Sequence, residues 1–137
     1  MRLGALSTAA MLLLAASAAA KPPAEKAFDE WLAAFNSNDK AAMSAFNERR
    51  FGEANHNIDY LLDSREETGG LEVVRVERSE PTIFVALTQE RNFPAYRRIT
   101  VKVDKPGSPV LDYVTQEPQR MPQAQALKAF DAFATRM

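Results

Sequence analysis

Cysteine is absent from the 137-residue chain. That absence excludes a disulfide framework, although an oxidising compartment would permit one, and it excludes lipid modification at a Cys. Histidine occurs once, at His56, so a metal would have to be held largely by carboxylates. A surplus of positive charge is missing too: 17 Lys and Arg face 18 Asp and Glu. Nucleic-acid binders and proteins that lie on anionic membranes show a basic excess, so both classes are set aside. Beyond the first twenty residues no long apolar run occurs, which sets aside a membrane span in the rest of the chain.

Those first twenty residues carry the clearest signal. Arg2 follows Met1, Leu3 to Ala16 is almost wholly apolar, and Ala18-Ala19-Ala20 supplies the small side chains of a peptidase site. Lys21-Pro22-Pro23 then halts any helix. The apolar stretch is shorter than the roughly 20 residues needed to cross a bilayer. Residues 1–20 are therefore expected to be a signal peptide, and the rest to be exported, periplasmic or secreted. Cleavage removes Arg2 and no acid, taking the net charge from −1 to −2. The remaining length suits one modest domain with a core built by packing alone.

Phe28, Trp31, Leu32 and Phe35 fall at i, i+3, i+4 and i+7, the stripe of an amphipathic helix. Asn36-Ser37-Asn38-Asp39 breaks it, and Asn38 or Asp39 can cap a second short helix carrying Met43 and Phe46. A third helix is expected over about Glu53 to Thr68, with Ile58, Leu61 and Leu62 inward, ending at Gly69-Gly70. From Leu71 the character changes to four strand-like segments, 71–79, 82–91, 95–103 and 110–116. Clusters of Pro, Gly, Asn and Ser divide them. Arg97, Ile99, Val101 and Val103 alternate with Tyr96, Arg98, Thr100 and Lys102, giving one buried face and one wet. Ile83, Val85 and Leu87 repeat that period in the preceding strand. The expected fold is α+β, with three N-terminal helices packed on a curved four-stranded antiparallel sheet. Residues 21–117 form this domain, and 118–137 form a linker and C-terminal helix with Leu127, Phe130 and Phe133 as its apolar stripe.

The run Phe28-Asp29-Glu30-Trp31-Leu32-Ala33-Ala34-Phe35-Asn36-Ser37-Asn38-Asp39 resembles the opening helix and N-S-x-D turn of the NTF2-like (cystatin-like cone) superfamily. Glu67-Thr68-Gly69-Gly70-Leu71-Glu72-Val73-Val74-Arg75-Val76 resembles the third-helix-to-first-strand junction of one branch, often appended to secreted serine hydrolases of the β-lactamase-like or tail-specific-protease kind. The resemblance covers about residues 25–117. It implies the same α+β fold, and a free-standing binding module first, with an accessory domain of such a hydrolase or a small NTF2-like isomerase or hydrolase as the alternatives. Gln119–Met137 is similar to the linker helix that leads into one. The short strand that many such domains place between their second and third helices is missing here.

Three constellations carry chemistry on paper. Glu53, His56 and Asp59 stand three apart, the spacing of one helix face, and the simplest reading is a solvated surface without metal. Ser37-Asn38-Asp39-Lys40 fits Ser-x-x-Lys, but neither Ser-Asp-Asn nor Lys-Thr-Gly follows, and the chain is too short for that acylating fold. Tyr96, Arg98 and Thr100 share one strand face, with Arg75 and Tyr113 on neighbouring strands. In NTF2-like enzymes an Asp and Tyr pair inside the cone performs proton transfer, and Asp29, Asp59 and Asp112 are the carboxylates on offer. Nothing in the sequence sets any of them beside a tyrosine. No catalytic or metal-binding residue and no cofactor is therefore assigned. The candidate ligand-binding residues are Tyr96, Arg98, Tyr113 and Arg75, for a small apolar ligand or an envelope protein partner.

Signal peptidase should cleave before Lys21, within a residue or two, so N-terminal sequencing of envelope material should begin there. Recovery of intact Met1 from the envelope would overturn that expectation.

Overall fold

The computed structural model describes residues 20–120 and 123–136. The expected signal peptide lies outside the described residues, apart from Ala20. Within the described residues, four helices and four strands follow in the order ααα, ββββ, α. Helix α1 (Pro23–Asn36) opens on Pro22 and Pro23, whose fixed φ suits a first turn that has no N–H to bond. Helix α2 (Lys40–Phe51) is capped by Asp39, whose side chain accepts from Ala41 N at 3.0 Å. Gly52, at φ 71°, ends it in the left-handed conformation.

Helix α3 (Ile58–Thr68) begins later than the sequence pattern suggests. Asn57 sits at φ 50°, a conformation no helix interior accepts, so residues 53–57 form a turn instead of a first helical turn. Glu53, His56 and Asp59 consequently do not share a helix face. Gly69, at φ 69°, closes α3.

Strands β1 (Leu71–Ser79), β2 (Ile83–Glu90), β3 (Tyr96–Val103) and β4 (Leu111–Gln119) form one antiparallel meander in sequential order. Register irregularities at Val74 and Glu77 put bulges into the edge strand β1 and bend it. The last strand runs past the expected boundary at 117 and includes Pro118. A proline is tolerated there because β4 is an edge, where an N–H facing away from the sheet has no ladder bond to lose.

The helices cover one face of the sheet. Phe28, Trp31 and Phe35 of α1 and Phe46 of α2 pack with Phe84, Ala86, Ile99, Val101, Val103 and Leu111, all buried. Phe28 meets Phe84 with ring centroids 4.7 Å apart, and Trp31 stacks on Phe35 at 5.1 Å. The alternation in β3 is as expected, with Ile99, Val101 and Val103 inward. In β2 the expected face is inverted. Ala86 lies opposite Ile99 and Phe84 opposite Val101, so Phe84, Ala86 and Thr88 point to the helices while Ile83, Val85 and Leu87 share the outer face with Arg98 and Thr100.

Helix α4 (Gln123–Ala134) contains no buried residue. Leu127 and Phe130 are each 59 % exposed, while Ala126, Ala129 and Phe133 are half-buried. The stripe expected at Leu127, Phe130 and Phe133 is thus rotated, leaving only Phe133 partly covered. Among the described residues no helix is long and apolar enough to cross a membrane.

Removing α4 by ending the chain at Arg120 should lower unfolding free energy by no more than about 1 kcal/mol, because it buries so little. Trp31→Ala, which empties a site only 3 % exposed, should lower it by about 3–5 kcal/mol. Urea unfolding of both variants checks this pair of values, and equal losses would make α4 part of the core.

Candidate functional site

Among the concave regions of the described residues, two lie on opposite faces of the sheet. The inner one is a cleft where the open end of the helical layer meets β4. Trp31 of α1, Asn47 and Phe51 of α2, His56 and Asn57 of the turn, Tyr60 of α3 and Gln116 of β4 line about 50 Å³ of space. The neighbouring region bounded by Trp31, Phe35, Met43 and Phe46 is packed too tightly for a water molecule. Among the described residues, neither of these interior spaces has the size a carried lipid or steroid needs, which is several hundred Å³.

One of the residues that line the cleft carries an unpaired acceptor. The Asn47 side chain is 1 % exposed, and its Nδ2 donates to His56 O at 2.8 Å and Ala54 O at 3.3 Å. Those two carbonyls fix the amide's orientation, since a flipped amide would press oxygen against oxygen. Its Oδ1 is left buried without a hydrogen-bond partner. The His56 ring stacks on Phe51 with centroids 4.2 Å apart and planes 24° from parallel. Tyr60, 55 % exposed, stands at the mouth. His56 is thus a wall of the cleft, with Nε2 3.4 Å from Asn57 Nδ2. Among the described residues no three His, Asp or Glu side chains are grouped to hold a metal ion.

Beside the cleft, Arg97 is bound from three sides. Its Nε donates to Glu90 Oε1 at 2.8 Å, and its NH1 to Ser64 Oγ at 3.0 Å and Gln116 Oε1 at 3.1 Å. The pair is nearly enclosed, with side-chain exposures of 16 % and 9 %. A buried ion pair gains its Coulomb energy only where extra hydrogen bonds satisfy it, as Ser64 and Gln116 do here. The arrangement fixes Gln116, one wall of the cleft.

The outer face carries the residues singled out by the strand alternation. Arg75, Tyr96 and Arg98 line one open cavity of about 450 Å³, over Val74 and Leu87 and beneath the start of α4. Tyr113 stands opposite Lys102, outside that cavity. Arg98 forks onto Glu77, Nε to Oε1 at 2.9 Å and NH2 to Oε2 at 3.1 Å, and its NH1 donates to Gln119 Oε1 at 2.7 Å. Hydrogen bonding from Arg98 holds the Glu77 carboxyl below its ordinary value and raises Arg98 in return.

The other sequence candidates resolve into structural roles. Ser37 Oγ donates to Ala34 O at 2.6 Å and accepts from Asp39 N at 3.2 Å, so Ser37 to Lys40 is a capping turn between helices. Asp29 pairs with Lys21 at 2.7 Å, Asp112 lies 3.9 Å from Lys102, and Asp59 is exposed. None of the three carboxylates enters the cleft. Asn47 is the cleft residue that sequence reasoning misses. Its only signal is a polar residue at i+4 from Met43 and next to Phe46, on the face of α2 that is otherwise apolar.

No family model, no curated protein and no solved structure matches the chain.

Because Glu77 has a depressed pKa when folded, its pairing stabilises the protein above the ordinary carboxylate range. That contribution is lost as pH falls through the folded value, which lies below that range. Arg98→Ala should move the Glu77 titration upward, toward its ordinary value. Carboxyl carbon NMR of Glu77 reads this directly, and an unchanged titration would remove Arg98 as the cause.

Proposed function

We propose that the chain is an exported, non-catalytic binding module of the NTF2-like kind, and that its inner cleft receives the hydrogen-bond-donating tip of a small neutral ligand. One observation carries the reading: Asn47 lines the cleft, and its Oδ1 is buried with no partner. A buried acceptor left unsatisfied costs about 1–3 kcal/mol, so such an atom calls for a donor from outside the protein. About 50 Å³ accommodates an O–H or N–H group together with a few atoms beside it. The body of the ligand would lie outside, against the Phe51–His56 stack and Tyr60. The small apolar ligand expected from the sequence is thereby replaced by one with a polar end. Proton transfer gets no support, since Asp29, Asp59 and Asp112 are all exposed.

A second reading treats the chain as an accessory domain of a secreted serine hydrolase. It draws on α4, which buries no residue and exposes Leu127 and Phe130 as a linker helix awaiting a neighbour would.

Benzyl alcohol and anisole test the first reading, because they are isomers of which only the alcohol donates a hydrogen bond. Trp31 is the single tryptophan and lines the cleft, so its indole N–H gives one unambiguous resonance there. Benzyl alcohol should shift it saturably, anisole should not, and Tyr60→Ala should weaken the response by about threefold or more. Equal shifts from both isomers would make the cleft merely apolar. No saturable shift from either would mean that Asn47 is met by ordered water only, and the reading fails.

A further inference from the structure

The outer cavity has a different chemistry from the inner cleft. Its floor is apolar, formed by Val74 and the nearly buried Leu87. Around that floor stand Arg75, Arg98 and Arg120, with the ring of Tyr96, and no carboxylate is among the residues that line it. Glu77, just outside the lining, is taken up by Arg98 in a two-point fork. Arg75 reaches Glu77 only at 3.8 Å, beyond hydrogen-bonding distance, and its side chain is 63 % exposed. Arg120 has no carboxylate within ion-pair distance among the described residues. Arg98 is thus taken up by Glu77, with Glu117 opposite it on β4, while Arg75 makes only the long contact to Glu77 and Arg120 pairs with no carboxylate among the described residues.

We infer that the outer cavity is a binding site for a carboxylate carried on a short apolar body, the carboxylate between Arg75 and Arg120 and the body on Val74 and Leu87. The fork that Arg98 makes on Glu77 is the planar, two-point pairing that guanidinium offers a carboxylate, so this face already holds one such group in that geometry. A cavity of about 450 Å³ is within the range of small-molecule sites. The same chemistry is presented by a free organic acid and by the C-terminus of a peptide ending in an aliphatic residue. This site is independent of the inner cleft, on the other side of the sheet.

The test is a titration of the intact mature protein with hexanoate, followed through the backbone amide resonances of Leu87 and Arg98, with hexanamide as the uncharged control. Hexanoate should bind saturably and hexanamide should not. Raising salt from about 0.05 M to about 0.5 M should weaken binding, because the attraction is between partly exposed charges. Arg75→Ala, an exposed substitution that spares the fold, should weaken it by about fivefold or more. A pentapeptide ending in Leu, as free acid and as amide, separates the two sources. Tighter binding of the free-acid peptide than of hexanoate assigns a chain terminus, and the reverse order assigns a small organic acid. Equal binding of hexanoate and hexanamide, no saturable binding by hexanoate or the free-acid peptide, or an Arg75→Ala variant that binds as the parent does would each overturn the inference.

Discussion

The carboxamide of Asn36 takes both backbone hydrogen-bonding groups of Leu71, donating to Leu71 O at 2.9 Å and accepting from Leu71 N at 2.9 Å. A residue at the end of α1 thereby acts as the ladder partner of the first residue in the sheet. Around it the chain turns sharply: Gly69 and Gly70 both have positive φ, at 69° and 107°, where a side chain would be strained. A Cβ on Gly69 would also collide with the Asn92 side chain, which caps the end of α3 through Glu66 O and Glu67 O. The helical layer and the sheet are thus joined at one fixed point. Because strand register has a period of two, fixing where β1 starts sets which of its first side chains face the helices, and the strand pairings carry the choice to the later strands. The cleft and the outer cavity both inherit their walls from that register.

Much of this is legible in the residues, and the reasons are local. The aromatic stripe of α1, the Gly-Gly stop after α3 and the alternation in β3 each express one periodicity without competition. Expectation and structure part where two signals compete. In β2 every residue from Ile83 to Leu87 is apolar, so alternation carries no information, and only the pairing of Ala86 with Ile99 decides the face. Before α3, the acidic and polar run from Glu53 is compatible with a helix, and the left-handed Asn57 is what rules it out. In α4 the spacing of Leu127, Phe130 and Phe133 marks a stripe, but a helix that buries nothing has no core to orient it.

Legibility of the candidate sites follows the same division. The outer face is a strand face, and the period of two is enough to group Arg75, Tyr96 and Arg98 from their positions in the sequence. Tyr113 misses the cavity because it pairs with Lys102, far along β3 from Tyr96. The inner cleft depends instead on contacts among α2, the turn after it and β4, separated by scores of residues. No short-range pattern foretells that the Asn47 amide will spend both its N–H groups on Ala54 and His56 and strand its oxygen.

Arg97 and Arg98 show how one step in sequence separates the two chemistries. They are adjacent on β3, so their side chains leave opposite faces of the sheet. Arg97 goes under α3, where desolvation makes an unpaired charge prohibitive, and Glu90, Ser64 and Gln116 occupy its donors. Enclosed in this way, it is rigid and has nothing left to offer a ligand. Arg98 emerges on the wet face, where solvent shares the burden of its charge, and Glu77 with Gln119 holds it in place without enclosing it. Its neighbours Arg75 and Arg120 keep donors unspent. A slip of one residue in β3 would exchange the two arginines, burying a fork that Glu90 could not reach and exposing Ile99 and Val101. The register that builds the core is therefore the same constraint that makes one face a polar notch and the other a basic pocket.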